Sequence, residues 1–249
     1  GALTDAPTDA GKANLMSNSP VQTSWVDIPG DAGPFGGYLA LPPGGRGPGL
    51  MLLQEIFGVN PHIRAVAEQY ALAGFVVLAP DLFWRDAYRV ELGYVGADHE
   101  RAYALMRNIQ ADTVLADLQA TLAALRARPE FNGKVGALGY CMGGRLAYTA
   151  AAKLPLDVAV AYYGGGIQNQ LDLAASVACP MQFHYAEQDT HIPLDAVAAV
   201  KAAMAGKPAE FHVYPGAQHG FNCWARASYH AGSAAQAHGR SLGFLSQLF

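Results

Sequence analysis

The sequence predicts an α/β fold: a mostly parallel central sheet with an antiparallel N-terminal edge and helices on both faces. Three observations carry that prediction. Short apolar runs rich in Val, Leu and Phe recur along the chain, as buried strands do. Stretches of helical periodicity separate the later runs, and strand–helix–strand alternation specifies parallel strands with covering helices. Of 249 residues, 51% are hydrophobic and only 14% charged, which suits a chain with a large core and few charges.

Taken in order, residues 1–20 are polar and small, lack the apolar core of a signal peptide, and read as a flexible tail. A single domain is expected from residue 21 to 249. The runs Trp25–Ile28 and Gly37–Leu41 have no helix between them, only a Pro/Gly-rich link around Pro29–Pro34, so they should pair as an antiparallel hairpin at the sheet's edge. Gly49–Leu53 reads as a buried strand. A helix follows Asn60-Pro61, a cap and a first-turn proline, and ends before Gly74. After the strand Phe75–Ala79, a helix over Ala111–Ala127 places Leu115, Leu118, Leu122 and Leu125 on one face. The strands Val135–Gly139, Val158–Tyr162, Met181–Tyr185 and Glu210–Tyr214 then alternate with helices expected after Cys141, Leu194 and Ser228.

Composition excludes several classes. An unfolded chain needs low hydrophobicity and high charge, and a coiled coil needs a charged helical repeat. No apolar run reaches the roughly 18 residues of a spanning helix, so no membrane partner is expected. A net charge of −4 with scattered Lys and Arg argues against nucleic acid. The three cysteines, Cys141, Cys179 and Cys223, imply no disulfide framework and fit a reducing, cytoplasmic compartment. No His/Cys cluster has zinc-site spacing, and neither a metal nor an organic cofactor is expected. The chain is expected to act as a monomer on a small molecule.

In sheets of this kind, ligands bind beyond the carboxyl ends of the strands. There the sequence Gly139-Tyr140-Cys141-Met142-Gly143-Gly144 follows a strand and precedes a helix. This is the nucleophile-elbow pattern, with cysteine where serine is usual. A Cys141 thiol near a helix N-terminus favours the thiolate. Asp189 follows the run Met181–Tyr185, and His219 follows Glu210–Tyr214. The order nucleophile, acid, histidine is that of the α/β-hydrolases, with His219 as base and Asp189 fixing its tautomer. His191 competes with His219 but sits too close to Asp189. Glu55, in the apolar segment after Gly49–Leu53, is placed to meet the cysteine. The Ile56 and Met142 backbone N–H groups are the expected oxyanion hole. Arg85 beside Trp84, and Arg226 after His219, are candidate carboxylate clamps.

These residues together resemble the dienelactone hydrolase family. The matching pieces are Gln54–Asn60 (QEIFGVN), Pro80–Phe83 with Arg85, Gly139–Gly144 (GYCMGG), Tyr162-Tyr163-Gly164, the Asp189 loop and His219-Gly220-Phe221 with Arg226. The resemblance implies a Cys141–His219–Asp189 triad, with Glu55 hydrogen-bonded to the resting thiol. It implies a carboxylate-bearing unsaturated lactone as substrate, opened to maleylacetate, with Arg85 and Arg226 on its carboxylate. Tyr163, Trp84 and Phe57 would line the site. The stretch Trp84–His99 departs from the family pattern at the mouth of the site. The alternative is a broader carboxylesterase using the same triad on neutral esters. A glutamine amidotransferase would need His-x-Glu, but residue 221 is Phe. A non-catalytic sensor of the same fold would have little use for a complete triad.

Overall fold

The computed structural model describes residues 19–249, so nearly all of the expected tail lies outside the described residues. An eight-stranded sheet forms the centre, in the order β1-β2-β4-β3-β5-β6-β7-β8. Its strands are β1 (Gln22–Gly30), β2 (Gly33–Leu41), β3 (Gly47–Leu53), β4 (Val76–Pro80), β5 (Phe131–Tyr140), β6 (Val158–Tyr162), β7 (Met181–Ala186) and β8 (Ala209–Tyr214). β1 pairs antiparallel with β2, and β2 antiparallel with β4. From β4 to β8 every pairing is parallel. Every residue of β3, β4, β6 and β7 is buried; β3, β4 and β6 read as unbroken apolar runs, while β7 also buries Gln182 and His184.

The edge hairpin is tighter than the sequence suggests. Pro29 and Pro34 are not in the link; they face each other across the β1–β2 ladder, and Asp31-Ala32 make the turn. Pro29 is tolerated because β1 is an edge strand, and Pro34 because it lies outside the β2–β4 ladder, which runs from Gly37 to Ala40.

The helices are α1 (Pro61–Leu72), α2 (Gly96–Asn108), α3 (Ala111–Arg126), α4 (Met142–Lys153), α5 (Leu194–Ala203) and α6 (Ala231–Leu245). The Asn60 side chain caps α1 by accepting from the Ile63 N–H at 3.2 Å. α1 and α6 meet through Tyr70 and His238, whereas α3 packs beside α4. Helix α2 is the element the sequence does not announce. It buries only Ala102 and Leu105, and its N-cap, Val95, makes no side-chain bond. Without an apolar stripe or a cap residue, its periodicity is invisible. No helix among the described residues is long and apolar enough to cross a membrane.

Candidate active site

Strand β5 ends at Tyr140 and α4 begins at Met142, so Cys141 alone makes the turn. Its backbone sits at φ 60° and ψ −122°, a conformation that costs a non-glycine residue of order 1–3 kcal/mol. The flanking glycines make room for it. A Cβ on Gly139 would overlap the Gly143 carbonyl, and one on Gly143 would overlap the Leu53 carbonyl of β3. The turn is pinned by the Cys141 N–H donating to Tyr162 O at 3.0 Å.

The thiol faces a histidine. His219 Nε2 lies 3.1 Å from Cys141 Sγ, and His219 Nδ1 lies 2.7 Å from Asp189 Oδ2. Asp189 is itself held: its Oδ1 accepts the His191 N–H at 2.8 Å and the Ile192 N–H at 3.2 Å. Burial works against a charged His219, but the Cys141 sulfur and the Asp189 carboxylate outweigh it and raise its pKa to about 10. His191 packs edge-on against His219 at 5.1 Å and bonds Asp189 only through its backbone. The three predicted residues thus stand in the order nucleophile, base and orienting acid, within hydrogen-bond reach.

Ile56 and Met142 line the cavity above Cys141, and neither N–H has a hydrogen-bond partner among the described residues. Gln54, quoted in the sequence motif but given no role there, sets the Ile56 amide. Its Nε2 donates to the Glu55 carbonyl at 3.0 Å, and its Oε1 accepts the Leu82 N–H at 3.0 Å. The Glu55 carbonyl and the Ile56 N–H belong to one planar trans peptide, so fixing one fixes the other. A fully buried glutamine at the end of an all-apolar strand is the sequence signal that could have found it.

Other expectations are placed differently. Glu55 meets Arg226, not the thiol: Arg226 Nη1 donates to Glu55 Oε2 at 2.9 Å. Arg226 lines the cavity as expected, stacked over the Phe57 ring. Arg85 does not. It bonds Asp117 at 2.9 Å and Asp31 at 2.6 Å, outside the residues that line the cavity. Trp84 is held with it, stacked on Phe35 and donating Nε1 to Asp117 at 3.0 Å. Asp117 is a buried carboxylate on α3 and needs these donors, so it claims the arginine. Phe57 is buried beneath Arg226, edge-on to Tyr94. Tyr163 is likewise buried and supports the His219 ring from 5.0 Å rather than lining the cavity.

The cavity holds about 280 Å³. Helix α2 closes one side with His99, Tyr103 and Met106. A second guanidinium enters from the elbow helix. Arg145 lines the cavity, is largely buried, and makes no side-chain hydrogen bond or ion pair among the described residues. Gly166 faces its stem so closely that a Cβ there would meet Arg145 Cδ at 2.9 Å. A small cavity with a thiol–imidazole pair, two free amide donors and two guanidiniums suits attack on the carbonyl of a compact anion.

A model of the dienelactone hydrolase family matches residues 35–249. A carboxymethylenebutenolidase of Pseudomonas sp. (strain P51) is 39% identical over 82% of this chain and 84% of its own length. Carboxymethylenebutenolidase 1 of Cupriavidus pinatubonensis is 33% identical over 87% of this chain and 93% of its own. Among solved structures, a putative dienelactone hydrolase from Klebsiella pneumoniae superposes with a TM-score of 0.82 at 31% identity, covering 91% of this chain and 99% of that one.

Proposed function

Because the chain belongs to the dienelactone hydrolase family and is a hydrolase, we propose that it opens a carboxylate-bearing unsaturated lactone to maleylacetate, through a thioester on Cys141. The observation that carries this reading is the 3.1 Å contact between His219 Nε2 and Cys141 Sγ, at an elbow that opens into a cavity holding Arg226 and Arg145.

The geometry supports the following steps. His219, its affinity for a proton raised, holds that proton and leaves sulfur as the nucleophile. The thiolate attacks the lactone carbonyl, and the oxyanion is received by the Ile56 and Met142 N–H groups. Collapse breaks the ring C–O bond and expels an enolate, which takes the His219 proton and later becomes the ketone. His219, now neutral, removes a proton from water. The resulting hydroxide attacks the thioester, and the C–S bond breaks to restore thiolate and imidazolium. Asp189 keeps Nδ1 protonated throughout, so that Nε2 faces the reacting atoms.

Arg226 and Arg145, rather than Arg85, hold the substrate carboxylate. Glu55 takes one N–H of Arg226 and so aims the guanidinium, while Arg145 keeps all its donors. Relative turnover of dienelactone and p-nitrophenyl acetate tests the assignment. A clear preference for the lactone is expected; faster turnover of the neutral ester would favour the broader carboxylesterase.

A further inference from the structure

Glu55 uses only one of its oxygens on Arg226. The other, Oε1, is buried and has no hydrogen-bond partner among the described residues, and the same is true of His62 Nδ1. Buried polar atoms are rarely left so, and each calls for a partner. The third member is Cys223. A carboxylate oxygen of Glu55, an imidazole nitrogen of His62 and the Cys223 sulfur all lie within 4.8 Å of one another, in buried side chains.

We propose that Glu55, His62 and Cys223 form a binding site for a divalent transition metal ion, with Zn²⁺ as the best match. The donor set is one thiolate, one imidazole and one carboxylate, the mixture that borderline-soft Zn²⁺ accepts and that Mg²⁺ or Ca²⁺ does not. Zinc places sulfur at about 2.3 Å and nitrogen or oxygen at about 2.0–2.2 Å. Ligand atoms around a tetrahedral zinc stand roughly 3.5 Å apart, so donors within 4.8 Å of one another close in by up to about 1 Å to reach it. Three protein ligands leave a fourth position for water or for the Tyr94 hydroxyl, which lies 3.5 Å from Cys223 Sγ.

The surroundings are those of a supported site. Arg226 fixes the Glu55 carboxylate through Oε2 at 2.9 Å and leaves Oε1 without a partner. Trp224 packs edge-on against the His62 ring at 4.3 Å. Asn60 donates to the Tyr94 hydroxyl at 3.0 Å and so orients it. Outer partners of this kind hold metal ligands in place. On binding, the Cys223 thiol proton leaves to solvent and a sulfur–metal bond forms; nothing is oxidised or reduced. The ion joins the loop after β3, the first turn of α1 and the segment after His219. These carry the Ile56 amide and Arg226, so the site stands directly behind the catalytic cavity. Its ligands come from distant parts of the chain, and no local spacing betrays it.

The test uses the full chain with Cys141→Ser, which removes the catalytic thiol as a competing ligand. Titration with Co²⁺ should show one equivalent bound, with a sulfur-to-cobalt charge-transfer band in the near ultraviolet that Zn²⁺ abolishes. Cys223→Ser in that background should remove the band, and His62→Gln should weaken binding at least about tenfold. X-ray absorption on the zinc-loaded Cys141→Ser chain needs no ligand substitution. It should find one sulfur and two or more nitrogen or oxygen neighbours. No charge-transfer band, a band that survives Cys223→Ser, or a zinc shell without sulfur would overturn the proposal and leave the cluster to a bridging water.

Discussion

Replacing Gln54 with leucine separates the geometry of the oxyanion hole from the reactivity of the thiol. The variant loses the bond that holds the Glu55 carbonyl and the bond to the Leu82 N–H, both 3.0 Å long and buried. Two buried backbone groups are left unpaired, at about 1–3 kcal/mol each, so the folded state should lose about 2–6 kcal/mol. The larger effect is kinetic. With the Glu55–Ile56 peptide free to turn, one oxyanion donor is lost, worth about 10²–10³ in rate or about 2.7–4 kcal/mol of barrier. The assay compares two reactions of one sulfur, at a temperature where the variant is folded. Acylation by the lactone in single turnovers should fall about a hundredfold or more. Alkylation of Cys141 by iodoacetamide, which develops no oxyanion, should stay within about twofold of the parent. Equal losses in both reactions would mean that Gln54 supports the thiol or the fold at large, and would refute its assignment to the Ile56 amide.

Arg145→Gln should lower kcat/KM for the carboxylate-bearing lactone by about 10–100-fold, the worth of one charge-assisted hydrogen bond, and leave p-nitrophenyl acetate nearly unchanged; matched losses on both substrates would return Arg145 to a structural part. Arg85→Gln should leave the ratio of the two substrates unchanged. It should destabilise the fold by about 1–3 kcal/mol in urea melts, less than a wholly buried pair because Arg85 is 28% exposed while Asp117 is 2%. A change in substrate preference would bring Arg85 back to the site. The alkylation rate of Cys141 should be flat through neutral pH, with an inflection near 10. Despite burial, the Cys141 sulfur and the Asp189 carboxylate raise the His219 pKa to about 10, so the ring keeps its positive charge beside the sulfur up to that point. A tenfold climb per unit toward the ordinary thiol range of about 8.5 would show an unpaired thiol.

The chain discloses its sheet, and the positions of Cys141, Asp189 and His219, through its strands. Central strands such as β3, β4 and β6 are wholly buried and so are written as continuous apolar runs. Cys141, Asp189 and His219 each follow a strand, β5, β7 and β8, where the parallel topology brings strand ends together. What stayed hidden depends on partners far along the chain. Arg85 reads as a free cation beside the site until Asp117, on α3, takes it. Glu55 reads as the partner of the thiol until Arg226 reaches it from the segment after His219. Helix α2 is hidden for another reason: it lies on the surface and closes the cavity with His99, Tyr103 and Met106, so it carries almost no apolar stripe. Arg145 continues the elbow motif and looks like any charged residue in a helix. Only Gly166 beneath its stem and the cavity at its tip set it apart.

The central claim is a thioester on Cys141, and the mass of the enzyme quenched in acid during dienelactone turnover tests it most directly. Ring opening releases no fragment, so the enzyme should gain the mass of the whole substrate, on the peptide bearing Cys141, in an adduct that forms and decays at the turnover rate. A quenched enzyme without that adduct, together with full lactone hydrolysis by Cys141→Ala, would contradict it.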